Sequence, residues 1–192
     1  MKLNLLIFGL VLLSACGPKP GSQHLPQLRE ALQAVDSAAN RFEMAPHFDV
    51  AKARSRADSA LASVEARMQG LVVNLEQGRP FSLLDERCRL LKKQPGRQRR
   101  IEQEIDRTRR QIGQLIEAIV DGAKVDALGA PIDDLYLENA TADELRISSH
   151  LTEEIDIALN FLERGLTNLD GLIADADSAS RALVAIPATS RP

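Results

Sequence analysis

Hydrophobic residues recur every three or four positions through most of the chain, the spacing that places them on one face of an α-helix. The first such stripe predicts a helix from about Pro26 to Met44, and Pro46 ends it. A second stripe, rich in alanine in its first half, predicts a helix from about Asp49 to Gln77, with Asp49 as its N-cap.

The middle of the chain combines helix breakers with a third strong stripe. Gly78-Arg79-Pro80 predicts a break, and Pro95-Gly96 predicts a second break or kink after a short helix capped by Ser82. From about Gln98 to Val120, isoleucine and leucine keep a four-three spacing that predicts a helix with coiled-coil character. Residues 121–140 show little periodicity, so we expect a long connection there.

The most regular pattern lies near the C-terminus. Thr141 and Glu144 have the spacing of a capping box, and the heptad register after them is uninterrupted. We expect one helix from Ala142 to Ala185, ended by Pro187, in which Gly165 and Gly171 permit a bend. Since no segment alternates in the manner of a strand, the sequence predicts an all-α fold. The prediction is an elongated antiparallel bundle of four to five helices with coiled-coil-like packing and a long C-terminal helix.

Composition narrows the possible functions. Of the 192 residues, 44% are hydrophobic but only 3% are aromatic, which indicates an aliphatic core in one domain or at most two small ones. A net charge of −3 and the scarcity of aromatic rings argue against nucleic acid as a partner. The sequence has no His-Glu-x-x-His, Cys-x-x-Cys or Gly-x-Ser-x-Gly motif, and the pair His150 and Glu154 occupies outward heptad positions. We therefore expect neither an enzyme nor a metal site.

The N-terminal residues differ from the rest of the chain. Lys2 is followed by an apolar run, Leu5 to Leu13, which at ~1.5 Å per residue is too short to span a ~30 Å hydrocarbon core and is typical of a secretory signal. It ends in Leu13-Ser14-Ala15-Cys16, which resembles the lipobox of bacterial lipoproteins, the substrates of signal peptidase II. The resemblance covers only the signal region. It implies cleavage before Cys16 and lipidation of that residue, whereas an ordinary signal peptide cut near Ala15 is the alternative.

The same resemblance implies a location. In that class, a diacylglycerol on the thiol of Cys16 and an acyl chain on the new amino terminus hold the protein on a membrane of the bacterial cell envelope. Gly17 replaces the Asp that favours inner-membrane retention in Gram-negative lipoproteins, which points to the outer membrane, facing the periplasm. We expect a signal peptide (1–15), a lipidated Cys with a flexible tether (16–24), a helical bundle domain (25–187) and a loose tail (188–192).

Cys88 is the second of two cysteines in the chain. With Cys16 acylated, no intramolecular disulfide can form. Leu84, Cys88 and Leu91 share one helix face, which predicts a buried thiol. An intermolecular disulfide through Cys88 is the alternative.

Charge is distributed unevenly along the chain. Residues 85–110 contain ten basic and five acidic residues, a net charge of +5, whereas residues 121–180 contain three basic and fourteen acidic residues, a net charge of −11. Either these segments neutralise each other within the bundle, or the basic segment docks on an acidic partner or on anionic head groups. The candidate partner-binding residues of the basic segment are Arg97, Arg99, Arg100, Arg107, Arg109 and Arg110.

Three apolar residues of the predicted C-terminal helix, Ile147, Ile157 and Phe161, lie off its main hydrophobic stripe. They require cover from a third helix of the bundle or from a partner chain. Ile157 and Phe161 therefore join the candidate partner-binding residues.

Two functions fit these patterns. The first is a lipid-anchored, non-enzymatic scaffold or accessory subunit of an envelope assembly, whose partner is an envelope protein or a second copy of the chain. The second is a periplasmic binding module or chaperone-like protein that holds a small apolar ligand or a client between its helices. We expect no cofactor in either case; the covalent group is the diacylglycerol and N-acyl lipid on Cys16.

Overall fold

The structure is a computed structural model that describes residues 19–185. The predicted signal peptide, the lipidation site at Cys16 and the predicted C-terminal tail lie outside these residues. Within them the chain forms five α-helices that pack against one another, and no β-strand, which confirms the predicted all-α helical bundle. The helices are α1 (Leu25–Glu43), α2 (Val50–Met68), α3 (Leu75–Asp121), α4 (Asp134–Leu166) and α5 (Leu169–Ala185). Of the helices in residues 19–185, none is both long and apolar enough to cross a membrane.

The described residues divide into two compact units. Unit 1 consists of residues 19–36 and 106–150, and unit 2 consists of residues 37–105 and 151–185. Helices α1, α3 and α4 each contribute residues to both units.

Unit 1 has an aliphatic core formed by α1, α3 and α4, as the composition predicts. The buried residues of the main cluster are Leu28, Ala31, Ile112, Ile119 and Leu137, and Val35 of α1 is buried in this unit as well. Burying a leucine or isoleucine side chain contributes roughly 1.5–3 kcal/mol, so each of these side chains stabilises unit 1 by about that amount.

Residues 19–24, which we predicted to belong to a flexible tether, are instead packed against unit 1. The ammonium of Lys19 donates a hydrogen bond to the carbonyl of Val120 at the end of α3, and Ser22–His24 forms a 3-10 turn. Gly21 is buried with φ 75°, and a Cβ there would lie 2.5 Å from Cδ1 of Leu137. Both the conformation and the space require glycine, so the tether prediction is wrong for these residues.

One buried apolar cluster of unit 2 is formed by α2, α3, α4 and α5, and the end of α1 adds Ala38, Ala39 and Phe42 to the buried residues of this unit. The buried residues of the cluster are Val50, Ala53, Ala57, Val64, Leu84, Cys88, Leu91, Leu162, Leu169 and Ala176. The prediction that Cys88 is buried on one face with Leu84 and Leu91 is confirmed.

Ion pairs define the helix directions in unit 2. Arg56 contacts Asp170 and Arg67 contacts Asp177, so α2 and α5 run parallel. By contrast, α3 runs antiparallel to α4, because Glu86 pairs with Arg164 near the C-terminal end of α4 while Arg100 pairs with Glu154 further back along it. The predicted antiparallel packing is therefore found between α3 and α4, whereas α2 and α5 are parallel.

Helix α3 is continuous where the sequence predicted two breaks. It begins at a reciprocal cap, in which the amide of Asn74 donates to Oε1 of Gln77 (3.0 Å) and the amide of Gln77 donates to Oδ1 of Asn74 (2.9 Å). Both Pro80 and Pro95 lie inside the helix. Ser82 does not cap a helix, because its hydroxyl donates to the carbonyl of Gly78.

The helix continues through Pro95 because burial outweighs the local cost. A proline inside a helix costs about 3 kcal/mol, since it removes one backbone hydrogen bond and its ring crowds the preceding turn. On either side of Pro95, Leu91 and Ile101 are almost completely buried. At roughly 1.5–3 kcal/mol each, the burial of these two residues alone offsets the cost of the proline. The burial of Ile105 contributes further stabilisation.

The second predicted helix is shorter than expected. Helix α2 ends at Met68, since Gly70 adopts a φ of 78° and turns the chain. The side chain of Asp49 makes no capping hydrogen bond, because the residue belongs to a 3-10 turn, His47–Asp49, that leads into α2.

The long C-terminal helix is two helices. Helix α4 begins at Asp134, well before the predicted start at Ala142, because Oδ1 of Asp133 accepts the amide of Tyr136 (2.8 Å). Thr141 and Glu144 consequently lie inside α4 and do not form a capping box. Thr141 is buried.

The break falls at Thr167 and Asn168, between α4 and α5. Asn168 adopts the left-handed conformation, with a φ of 52°, which asparagine tolerates better than most residues. Its side chain covers Gly171, where a Cβ would lie 2.3 Å from Oδ1 of Asn168. The sequence correctly indicated a weak point near these glycines, but it predicted a bend and not a break.

Candidate functional site

Four of the candidate partner-binding residues come together in unit 2, where α3 packs against α4. Arg97 and Arg100 belong to α3, and Ile157 and Phe161 belong to α4. An ion pair lies toward each end of this group. We refer to the surface as the α3–α4 surface; its residues are Glu86, Arg97, Arg100, Glu154, Ile157, Phe161 and Arg164.

A glycine allows the two helices to approach closely beside this surface. Gly165 of α4 is buried, and a Cβ at this position would lie 3.1 Å from Cδ2 of Leu91 on α3. Larger side chains would push the helices apart. From the sequence, Gly165 could be recognised only as a weak helix former. Its contact with Leu91 could not be predicted, because Leu91 lies far away along the chain.

The central contact of the α3–α4 surface joins a cation to an aromatic ring. The guanidinium carbon of Arg97 lies 4.5 Å from the centroid of Phe161. Such cation–π contacts contribute about 0.5–1 kcal/mol when exposed and about 2 kcal/mol when desolvated. Burial, followed by the positive charge of Arg100, lowers the pKa of Arg97, which nevertheless stays protonated at neutral pH.

Two ion pairs flank the Arg97–Phe161 contact. Nη2 of Arg100 lies 3.5 Å from Oε2 of Glu154, and Nη2 of Arg164 lies 2.5 Å from Oε1 of Glu86. Because these side chains are partly exposed, each pair contributes about 1 kcal/mol or less. The pairs do show that the basic and acidic segments neutralise each other in part within the chain.

The off-stripe apolar residues of α4 differ in their surroundings. Phe161 is half-buried beneath Arg97, so a long side chain from α3 provides cover that we expected from a third helix or a partner. Ile147 is half-buried as well. Ile157, one helical turn before Phe161, keeps 55% of its surface exposed. Ile157 is therefore the apolar member of the α3–α4 surface that is open to a partner.

The other candidate arginines are not part of this surface. In unit 1, Nε of Arg109 donates to Oδ1 of Asp36 (2.7 Å). Arg107 lies near Glu144, where burial and then the charge of Asp143 raise the pKa of the carboxyl and the charge of Arg107 opposes them. Arg99 and Arg110 are exposed, and no ion pair is formed by either within residues 19–185. The structure thus brings together Arg97 and Arg100 but not the remaining four.

Two carboxylates of the acidic segment, Asp170 and Asp177, pair with arginines of α2 that were not among the candidate residues. Nη2 of Arg67 on α2 lies 2.6 Å from Oδ1 of Asp177 on α5, and Arg181 donates to the other carboxylate oxygen. The hydrogen bond from Arg67, opposed in part by desolvation and reinforced by Arg181, lowers the pKa of Asp177. Arg56 pairs similarly with Asp170. The sequence did contain a signal for these two arginines: Arg56 and Arg67 are spaced three turns apart, which places them on one face of α2.

The histidines are placed for structural roles or lie at the surface. Among residues 19–185, no group of three or more His, Cys, Asp or Glu side chains is arranged to hold a metal ion. Glu154, which the sequence pairs with His150, accepts a hydrogen bond from Arg100, while His150 is exposed. Nε2 of His47 lies 2.8 Å from the carbonyl of Phe42, whose ring it also contacts.

Cys88 has the properties of a structural thiol. It is free and buried. Burial, with the nearby carboxylates of Asp58 and Asp85, raises the pKa of Cys88 to about 11. A thiol in this state is a poor nucleophile at neutral pH, and an intermolecular disulfide would require unit 2 to open.

A second surface in unit 2 lies at the turn between α1 and α2. Met44 and Phe48 are almost fully exposed there, although the sequence analysis did not select them. An open groove beside the turn is lined by Ala45, Pro46, Leu159, Leu162, Glu163, Leu166 and Thr167. The groove is mainly apolar and is large enough for a side chain of a bound peptide or a small ligand.

In comparisons with protein-family models, with curated proteins and with solved structures, nothing matches the chain. The α3–α4 surface offers a cation, an aromatic ring and an exposed aliphatic side chain, a combination typical of protein–protein contacts.

Proposed function

We propose that the protein is a lipid-anchored helical scaffold or accessory subunit of a bacterial cell-envelope assembly, acting through protein–protein contacts. The anchor is supported by the lipobox-like Leu13-Ser14-Ala15-Cys16. Two or three acyl chains, at ~0.8 kcal/mol per buried methylene, hold a protein on a bilayer stably. Gly17 after the lipidated residue supports the outer membrane as its location, with the helices in the periplasm.

The observation that carries the contact function is the arrangement of Arg97, Phe161 and Ile157. Arginine and aromatic residues are enriched among the residues that dominate binding energies at interfaces. A partner that covers Ile157 with an apolar side chain also excludes water from the Arg97–Phe161 pair, which strengthens the electrostatic part of that contact. We therefore propose an envelope protein whose docking face is apolar and acidic.

Site-specific photo-crosslinking in intact cells tests this proposal. A photoreactive amino acid replaces Ile157 in the full-length protein, and the matched control carries the same group at Ser59, an exposed position on α2. We expect one crosslinked envelope protein from position 157 and none from position 59. Equal crosslinking from both positions would contradict a specific contact at the α3–α4 surface.

Substitution at the same place provides a second test. Ile157→Asp places a charge on the exposed apolar residue and should abolish the crosslinked product detected from a neighbouring probe position. Val72→Asp is the matched control, because Val72 is also an exposed apolar residue of unit 2 but lies outside the α3–α4 surface. Thermal unfolding of both variants checks that neither substitution unfolds the protein.

The lipid anchor is tested separately. We expect metabolic labelling with palmitate for the natural chain and none for Cys16→Ser, which should accumulate as an uncleaved precursor. Labelling of the Cys16→Ser protein would contradict the proposed anchor.

A second candidate function rests on the apolar groove beside the α1–α2 turn. Its lining, together with the exposed Met44 and Phe48, suits a binding module or chaperone-like protein that holds an apolar ligand or client. Native mass spectrometry of the purified protein is the test. A retained small molecule, lost on Leu159→Gln substitution but kept in Val72→Asp, would favour this function over the scaffold, because Leu159 lines the groove and is only half-buried.

A further inference from the structure

A loop in unit 1 carries the most exposed apolar side chains of that unit. The segment 122–135, which joins α3 to the first turn of α4, contains Val125, Leu128 and Leu135, with 58%, 94% and 64% of their surfaces exposed. We call this segment the apolar loop. Scattered single apolar residues are common on protein surfaces, but three within one connection form a patch that has to be explained.

The apolar loop has a defined conformation that holds Leu128 outward. Oδ1 of Asp126 accepts the amides of Leu128 (2.9 Å) and Ala130 (2.8 Å), and Gly129 turns the chain with a φ of 83°. Val125 and Pro131 form a bridge on either side of this turn. The exposure of Leu128 is thus built into the turn.

The far side of the apolar loop is fixed to the core of unit 1. Ile132 is partly buried against the core, and its amide donates to the carbonyl of Lys124 (2.9 Å). The loop therefore exposes its apolar tip although it has an apolar core nearby on which such residues can pack.

The N-terminal end of the described chain lies at the same end of unit 1. Lys19 donates to the carbonyl of Val120, which immediately precedes Asp121, the last residue of α3. Cys16 is three chain positions before Lys19, with Gly17 and Pro18 between them, and an extended chain spans at most ~3.3–3.6 Å per residue. Cys16 therefore lies within roughly 11 Å of Lys19, whatever path the intervening residues take.

We propose that the apolar loop inserts Leu128 and Val125 into the surface of the membrane that holds the lipid anchor. The inference rests on the proposed lipidation of Cys16, which brings the bilayer to this end of unit 1. Residues 121–135 contain four acidic side chains and one basic side chain, a net charge of −3, so anionic head groups are not attracted. Insertion is therefore driven by apolar burial, and a zwitterionic bilayer is sufficient.

The experiment uses the full-length lipidated protein reconstituted into phosphatidylcholine vesicles that contain no other protein. Leu128→Cys is labelled with an environment-sensitive fluorophore. Asp106→Cys is the matched control, because Asp106 is exposed in the same unit and precedes Val120 by about 21 Å along α3. Cys88 is buried and does not compete for the label. We expect a blue shift at position 128 and loss of its emission when the lipids carry a quencher, with neither effect at position 106.

Mass spectrometry of the same samples measures the lipid on Cys16 and separates the possible failures. If the chain is lipidated but the probe at position 128 remains in water, the inference is overturned and the proposed anchor stands. If Cys16 carries no lipid, the anchor is overturned and the inference with it. A lipidated Leu128→Cys protein quenched at position 128 supports both, and an added Val125→Asp substitution should then reduce the quenching.

Discussion

Arg97 lies over the ring of Phe161, and the two side chains belong to helices that run in opposite directions. The contact covers an aromatic ring at the surface of unit 2 without a third helix. It also positions a positive charge beside the exposed Ile157. One pair of side chains therefore contributes both to the packing of α3 on α4 and to the surface that we propose as a docking site.

Replacing Arg97 with alanine should lower the free energy of unfolding by about 1 kcal/mol. The substitution removes the cation–π contact and the cover that the side chain's methylenes give to Phe161. Arg97→Lys should retain part of this stability. The measurement is urea-induced unfolding, with Arg99→Ala as the control because Arg99 is exposed. Equal losses in Arg97→Ala and Arg99→Ala would show that the contact with Phe161 is energetically unimportant.

The thiol of Cys88 should resist modification while the protein is folded. With its pKa raised to about 11, only about one thiol in a thousand is ionised at pH 8. We expect negligible labelling by a maleimide in buffer and complete labelling in denaturant. Leu128→Cys, at an exposed position, is the positive control and should react at once. Rapid labelling of Cys88, or a dimer that is sensitive to reducing agent, would instead support an intermolecular disulfide.

Asp177 should make the stability of unit 2 depend on pH in acid. Its pKa is lowered in the folded protein, chiefly by the hydrogen bond from Arg67, so its stabilising contribution is present above the ordinary aspartate pKa and is lost as pH falls through the folded value. Asp177→Asn should therefore have a lower melting temperature at pH 7, and the difference from the natural protein should shrink in acid. Asp175→Asn, which changes an exposed neighbour on the same helix, should show no such convergence. A difference for Asp177→Asn that stays constant with pH would exclude this electrostatic origin.

Gly21→Ala should destabilise unit 1 by more than about 1 kcal/mol. The new methyl group would meet Leu137, and the positive φ is itself unfavourable for alanine. Gly129→Ala is a matched control, since Gly129 also has a positive φ but nothing other than its chain neighbours lies within 4 Å of the added methyl group. Thermal unfolding measures the loss of stability in each variant. The loss in Gly21→Ala beyond that in Gly129→Ala is the contribution of the packing of residues 19–24 against unit 1. Equal losses would show that these residues contribute nothing to the stability of unit 1.

The parts of the fold that were predicted correctly are those in which local and tertiary preferences agree. Helix α1 and the C-terminal half of α3 have regular apolar stripes, and Pro46 follows α1 closely. In the N-terminal half of α3 the two preferences disagree. There Pro80 and Pro95 indicated breaks, but the burial of residues such as Leu91 and Ile101 keeps the helix continuous.

The break between α4 and α5 was missed for a different reason. Leu166 ends α4 and Leu169 begins α5, so the three-residue step of the heptad pattern is preserved across Asn168. A pattern that depends only on spacing cannot distinguish this break from a continuous helix. The conformation of one residue, Asn168, decides it.

The candidate site was only partly predictable. Its residue types were recognised from charge and from their positions off the main stripe of α4. Which arginine meets Phe161 depends on the register between α3 and α4, and that register is fixed by close packing such as Gly165 against Leu91. The pairing of Arg67 with Asp177 has the same origin, since it joins two helices that are distant along the chain.

The packing of Gly21 against Leu137 has a consequence for the reach of the proposed anchored protein. With residues 19–24 held on unit 1, only Gly17 and Pro18 separate Cys16, the proposed site of lipidation, from the folded chain, and little slack remains. A short connection confines the protein to a thin layer above the bilayer, where membrane-bound partners meet it at a high effective concentration. Lengthening the segment between Cys16 and Lys19 would dilute the protein into a larger volume and weaken such encounters without altering any contact surface.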